Sequence, residues 1–105
     1  MSERLWLCRI DEMQPDSARR FEVAGHRIAL VRVGDSFYAI GDRCSHEDYS
    51  LSEGELYPEE LEIECWKHGS TFSLETGEPV CLPATRPVPV YQVTTEGDDV
   101  MVTVS

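Results

Sequence analysis

Two short segments of this chain, Cys44-Ser45-His46 and Cys65-Trp66-Lys67-His68, each hold one cysteine and one histidine, and eighteen residues separate them. A Cys and a His two or three residues apart can reach a common point only where the backbone between them turns tightly. Gly41 precedes the first pair and Gly69-Ser70 follows the second, so both pairs read as loops. A fold open to this chain must therefore bring two loops, distant in sequence, to one end of the molecule.

The rest of the chain supplies short strands to carry those loops. Leu5–Ile10, Arg20–Ala24, His26–Val33 and Ser36–Ile40 are rich in Val, Ile, Leu and aromatics and are broken by turn residues. Ala24-Gly25-His26 and Val33-Gly34-Asp35-Ser36 read as tight hairpin turns. Val90–Thr95 and Val100–Val104 flank Glu96-Gly97-Asp98-Asp99, a third hairpin, and the valines of the last strand alternate as one buried face requires. Helical periodicity is weak, apart from one turn expected near Asp16–Arg19.

Residues 43–84 differ in kind. They are rich in Gly, Ser, Glu and Pro, hold both Cys/His pairs, and offer only short strands around Leu61–Cys65 and Thr71–Leu74. The expected fold is all-β: an antiparallel β sandwich or barrel with a loop-rich insert that carries both Cys/His pairs. At 105 residues it forms one domain, with base strands at about 1–42 and 85–105 and the insert at about 43–84.

The donor set admits three readings. Four unrelated loop residues would not fall into two matched pairs. A tetrahedral zinc site suits thiolate and imidazole, but its usual spacing pairs Cys with Cys and His with His. Here each half mixes the two types, as in [2Fe–2S] centres where two His replace two Cys on one iron. A zinc-stabilised interaction module remains the alternative from a different class.

The signature Cys44-x-His46…Cys65-x₂-His68-Gly69, continued by Ser70-Thr71-Phe72 and Phe72-Ser73-Leu74-Glu75-Thr76-Gly77-Glu78-Pro79, resembles the Rieske family. Phe37-Tyr38-Ala39-Ile40, Leu82-Pro83-Ala84 and Pro87-Val88-Pro89-Val90-Tyr91 extend the likeness over nearly the whole chain. The resemblance implies one [2Fe–2S] cluster per chain, with Cys44 and Cys65 on the inner iron and His46 and His68 on the outer, more exposed one. Two ferric ions, two sulfides and two thiolates sum to a neutral oxidised centre, whereas four thiolates would leave it doubly negative; neutral imidazoles therefore raise the potential.

High-potential members of the family carry two further cysteines bridging the cluster loops; Tyr49 and Lys67 stand at those positions here. Such members also present a tyrosine hydroxyl where this chain has Phe72, while Ser70 remains as a donor. The resemblance thus implies the low-potential class, toward the bottom of the roughly −150 to +300 mV Rieske range. It implies an electron carrier and not an enzyme, similar to the ferredoxin component of aromatic-ring dioxygenases. That component passes electrons from a flavin-dependent reductase to a terminal oxygenase. A terminal oxygenase would need a second domain with a mononuclear iron on two His and a carboxylate, and His46 and His68 are already used. Ser50-Leu51-Ser52-Glu53-Gly54-Glu55, with Ile63-Glu64-Cys65-Trp66 and Leu82-Pro83-Ala84-Thr85, also resembles ferredoxins of iron–sulfur assembly in actinobacteria. A small Rieske subunit of nitrite reductase is a third, more distant likeness.

Twenty acidic residues against nine Lys and Arg give a net charge of −11. Nucleic acid and anionic membranes are bound mainly through basic side chains and are excluded as partners. There is no apolar run of spanning length and no secretory h-region near Met1, so a cytoplasmic monomer with reduced cysteines is expected. Eight acids and no base lie between His46 and Cys65: Glu47, Asp48, Glu53, Glu55, Glu59, Glu60, Glu62 and Glu64. They form either a solvated face or a docking face for a basic redox partner. Cys8 and Cys81 are expected as packing thiols, Trp66 as packing, and His26 as structural or exposed.

Overall fold

The computed structural model describes residues 3–43, 50–65, 69–80 and 86–104. Six strands form one antiparallel sheet: β1 (Glu3–Arg9), β2 (Ser17–Val23), β3 (His26–Val33), β4 (Ser36–Gly41), β8 (Val90–Glu96) and β9 (Asp99–Val104). Their order across the sheet is β1-β9-β8-β4-β3-β2. A second sheet of three short strands, β5 (Leu56–Tyr57), β6 (Glu62–Glu64) and β7 (Thr71–Ser73), lies between β4 and β8 in sequence.

The pattern of burial explains why the sheet curls. Along β3, Ile28, Ala29, Leu30 and Val31 are all fully buried, so this strand has core on both faces. Ile28 and Leu30 pack with Leu7, Cys8, Met13, Ala39 and the alternating Val100, Val102 and Val104 of β9. Ala29 and Val31 face the other way, onto Ile40, Leu51, Ile63, Cys65, Phe72, Leu74 and Val88. A strand with successive residues on opposite faces reads as a continuous apolar run only when both faces are covered. The first cluster holds the curled sheet together; the second fastens the three-stranded insert to it.

Local chemistry sets the details. The β2–β3 turn takes positive φ at both Ala24 (50°) and Gly25 (80°), the pairing that matches the right-handed twist of a hairpin. The β1–β9 register shifts between Trp6 and Cys8, and the irregularity lets both Leu7 and Cys8 enter the core although they are neighbours. The helical turn expected near Asp16–Arg19 is not formed. Ser17–Val23 pairs residue by residue with β3, from Ser17 opposite Arg32 to Val23 opposite His26. Asp16 itself adopts φ 58°, and its carboxylate accepts from the Gly34 N–H at 3.2 Å, so the local polar contact closes the sheet end instead of capping a helix.

Gly54, just past a single 3₁₀ turn at Leu51–Glu53, touches the strand that leads to Cys65. A Cβ built there would lie 1.6 Å from the Glu64 carbonyl oxygen, so no side chain fits without moving backbone. Gly34 has open space around its Cβ position and only an unfavourable φ of +58°. Gly54→Ala should therefore cost about 3 kcal/mol or more, against ~1–2 kcal/mol for Gly34→Ala. Urea unfolding of the two variants checks this; equal costs would show that the Gly54 contact does not hold the insert.

Candidate metal centre

The first Cys/His pair follows β4 in sequence, with Asp42 and Arg43 between them. The Leu51 N–H donates to the Asp42 carbonyl at 2.6 Å, and Arg43 and Ser50 form an isolated antiparallel bridge. The described residues on either side of Cys44 and His46 are thus pinned together. Cys44, His46 and His68 lie outside the described residues, as do Tyr49, Trp66, Lys67 and Cys81.

The second loop is pinned more tightly. Cys65 follows β6, its backbone N–H donates to the Ser70 carbonyl at 2.6 Å, and Gly69 N–H returns to the Cys65 carbonyl at 3.0 Å. Gly69 supplies the positive φ of 76° that this reversal requires. Cys65 has no exposed surface, and Ser70 is equally buried. Phe72, also fully buried, packs in the same cluster as Cys65, Leu51 and Ile63.

These two frames are joined to each other. Glu64 N–H donates to the Glu55 carbonyl at 2.8 Å, and Gly54 lies against the Glu64 carbonyl. The 3₁₀ turn that closes the first loop therefore touches the strand that opens the second. A buried thiol at the meeting point of two tightly pinned loops suits a soft-ligand centre, since thiolate is the donor that zinc and iron–sulfur clusters select. The donor chemistry of the described part fits either group.

Around this frame sits the acidic stretch. Glu53, Glu55, Glu59 and Glu60 are exposed, and Glu62 and Glu64 are half-buried. Tyr57 reaches two of these acids: its hydroxyl lies 3.0 Å from Glu64 Oε2 and 3.1 Å from Glu55 Oε2. The sequence reading passed over Tyr57, because only the pairing of β5 with β6 brings it opposite Glu62, beside Glu64. The hydrogen bond to Glu64, followed by that to Glu55, pushes the Tyr57 phenol from 10.0 up to about 12. Since the folded value is raised, the contribution of these bonds to stability is present below pH 10.0 and is lost as pH rises through about 12. Phenolate absorbance measured on the parent and on Tyr57→Phe should differ by one chromophore titrating near that upper value. A missing component near pH 10.0 would contradict the paired geometry.

Residues outside the frame fall into quieter roles. Cys8 is buried, and burial, followed by the nearby Glu12 carboxylate, pushes its thiol up, as expected of a packing residue. His26 is part-buried against Tyr91, with Nδ1 3.2 Å from the phenol oxygen and the rings edge to face. Among the described residues no helix is long and apolar enough to cross a membrane.

Comparison with known proteins agrees with this architecture. The model of the Rieske [2Fe-2S] domain matches residues 3–92. The 3-phenylpropionate/cinnamic acid dioxygenase ferredoxin subunit of Escherichia coli strain K12 is 41% identical over 99 residues, covering 94% of this chain and 92% of that protein. The ferredoxin of carbazole 1,9a-dioxygenase from Nocardioides aromaticivorans IC177 superposes with a TM-score of 0.92 at 37% identity, over 94% of this chain and 95% of that one. A chain from the complex of reduced oxygenase and oxidized ferredoxin in carbazole 1,9a-dioxygenase reaches a TM-score of 0.87 at 41% identity, over 94% and 91% of the two chains. With two pinned loops, a buried Cys65 between them and a family match across most of its length, this chain belongs to the Rieske [2Fe-2S] domain family.

Proposed function

We propose that this chain is an electron carrier that passes single electrons through a Rieske [2Fe–2S] cluster held by Cys44, His46, Cys65 and His68. The observation that carries the reading is the position of Cys65: buried, on a hydrogen-bonded turn, and in contact through β6 with the frame of the other loop. When bound, the cluster supplies a one-electron couple whose potential depends on charge, hydrogen bonds to sulfur and exposure. The chain's own residues set those terms. Phe72 and Ile63 pack with Cys65 away from water, the Ser70–Cys65 hydrogen bond holds the backbone at Cys65, and Phe72 carries no hydroxyl to donate toward a sulfur. These features support the low-potential class.

The relatives supply the partners. Their names describe ferredoxin subunits of dioxygenase systems and a ferredoxin bound to its oxygenase. By that likeness this chain takes electrons from a flavin-dependent reductase and delivers them to a terminal non-haem iron oxygenase, and is not itself the enzyme. Residues 43–84 act as the cluster-binding part, carried on base strands at 1–42 and 85–105; the separate three-stranded sheet supports that division. A cytoplasmic location fits the buried, unbridged thiol of Cys8, because reduced cysteines are the rule there.

The exposed acids beside Cys65 fit a docking face for a basic partner. Electrostatic steering raises the on-rate and is screened over about 8 Å at physiological salt. Stopped-flow reduction by the cognate reductase should slow steeply as salt rises. Neutralising Glu59, Glu60 and Glu62 together should slow it at low salt, with the cluster spectrum unchanged. The same change at Glu96, Asp98 and Asp99, on the β8–β9 hairpin, should have little effect. Equal slowing by both triples would leave net charge alone as the cause, and no slowing by either would make the acids a solvated face.

A further inference from the structure

Asp42 has no exposed surface, although it stands at the mouth of a loop, two residues before Cys44. Its backbone closes that loop by accepting from Leu51 N–H, and its N–H donates to the Arg27 carbonyl at 3.0 Å. The carboxylate does more. Oδ2 accepts a hydrogen bond from the Ser50 hydroxyl, and Oδ1 accepts from the Ser52 N–H at 2.9 Å. On its other side, Arg27 Nη2 lies 3.7 Å and Arg20 Nε 3.9 Å from Oδ2. One buried side chain therefore grips the far end of the Cys44–His46 loop and ties it to two arginines of the β2–β3 hairpin.

A buried carboxylate is costly unless paired and hydrogen-bonded, and a hydrophobic group of similar size often replaces such a pair without loss of stability. On the sheet side this charge meets only the looser pairs with Arg27 and Arg20 among the described contacts, at 3.7 and 3.9 Å. Ser50 and Ser52, the groups it holds, both belong to the return limb of the loop. We propose that Asp42 is a positioning residue for the Cys44–His46 loop, and that its charge, partly offset by Arg27 and Arg20, sets the reduction potential of the centre that loop holds. This rests on the Rieske reading above. An electron entering a neutral centre makes it negative, so a fixed anion at the loop base opposes reduction and a fixed cation favours it. Arg27 is about one-third exposed and Asp42 is not, so water screens the arginine more.

The test is the reduction potential of the full-length holoprotein, with iron content measured on the same samples. Asp42→Asn keeps size and an acceptor for Ser52 N–H but removes the charge, and its potential should rise. Arg27→Gln should lower the potential by a smaller amount. A merely structural brace would not move the two in opposite directions. Ser50→Ala removes a hydrogen bond without changing charge; it should release iron to a chelator about tenfold faster while the potential stays close to the parent's. Should Asp42→Asn fail to hold its cluster, Arg27→Gln and Ser50→Ala still decide. Shifts of the same sign, or no shift in Arg27→Gln, overturn the electrostatic part; unaltered iron release in Ser50→Ala overturns the positioning part. A parent protein that holds zinc and no sulfide would instead defeat the Rieske reading itself, before any variant is compared.

Discussion

The contact of Gly54 with the Glu64 carbonyl, together with the shared burial of Leu51 and Cys65, joins the described necks of the two Cys/His segments. Each Cys/His segment is pinned at its described neck, by Asp42 and Leu51 on one side and by Cys65 and Ser70 on the other. Ligands offered from two independent loops would arrive with the freedom of both. Joining the necks through close backbone packing removes that freedom before any metal arrives, which is how a preorganised site limits the cost of binding.

That junction needs a firm floor, and β3 provides it. Because Ile28 to Val31 are buried on both faces, the strand belongs to two cores at once. One core closes the curled sheet through β1 and β9; the other receives Leu51, Ile63, Phe72 and Leu74 from the insert. The small sheet, with strands of two or three residues, could not stand alone. It borrows its stability from the large one; the first Cys/His pair follows β4 of the large sheet, and the second lies between β6 and β7 of the small one.

The strands that pack were legible in the sequence. The alternating valines of Val100–Val104 and the apolar run of His26–Val33 both announce their burial, and the structure places them as those patterns require. The expected helical turn at Asp16–Arg19 failed because pairing with β3 outweighed a weak local preference. β5 carries too short a run to show any period, so Leu56–Tyr57 read as loop. Cys65 stood out through its spacing to His68, whereas Asp42 resembled an ordinary turn residue in Gly41-Asp42-Arg43. Only the fold brings Ser50, Ser52, Arg20 and Arg27 around it. Ligand type is a local signal; the network that positions a ligand is assembled from residues distant in the chain.

Mixed Cys and His donors on paired loops are what separate a Rieske centre from a zinc module and from an all-thiolate cluster. Neutral imidazoles on one iron leave a neutral oxidised centre able to take one electron. Low-temperature EPR of the dithionite-reduced protein, with iron and sulfide analysis of the same sample, addresses this most directly. The account predicts two irons and two acid-labile sulfides per chain, and a signal whose average g lies below the free-electron value. One zinc per chain, no sulfide and no signal would contradict it.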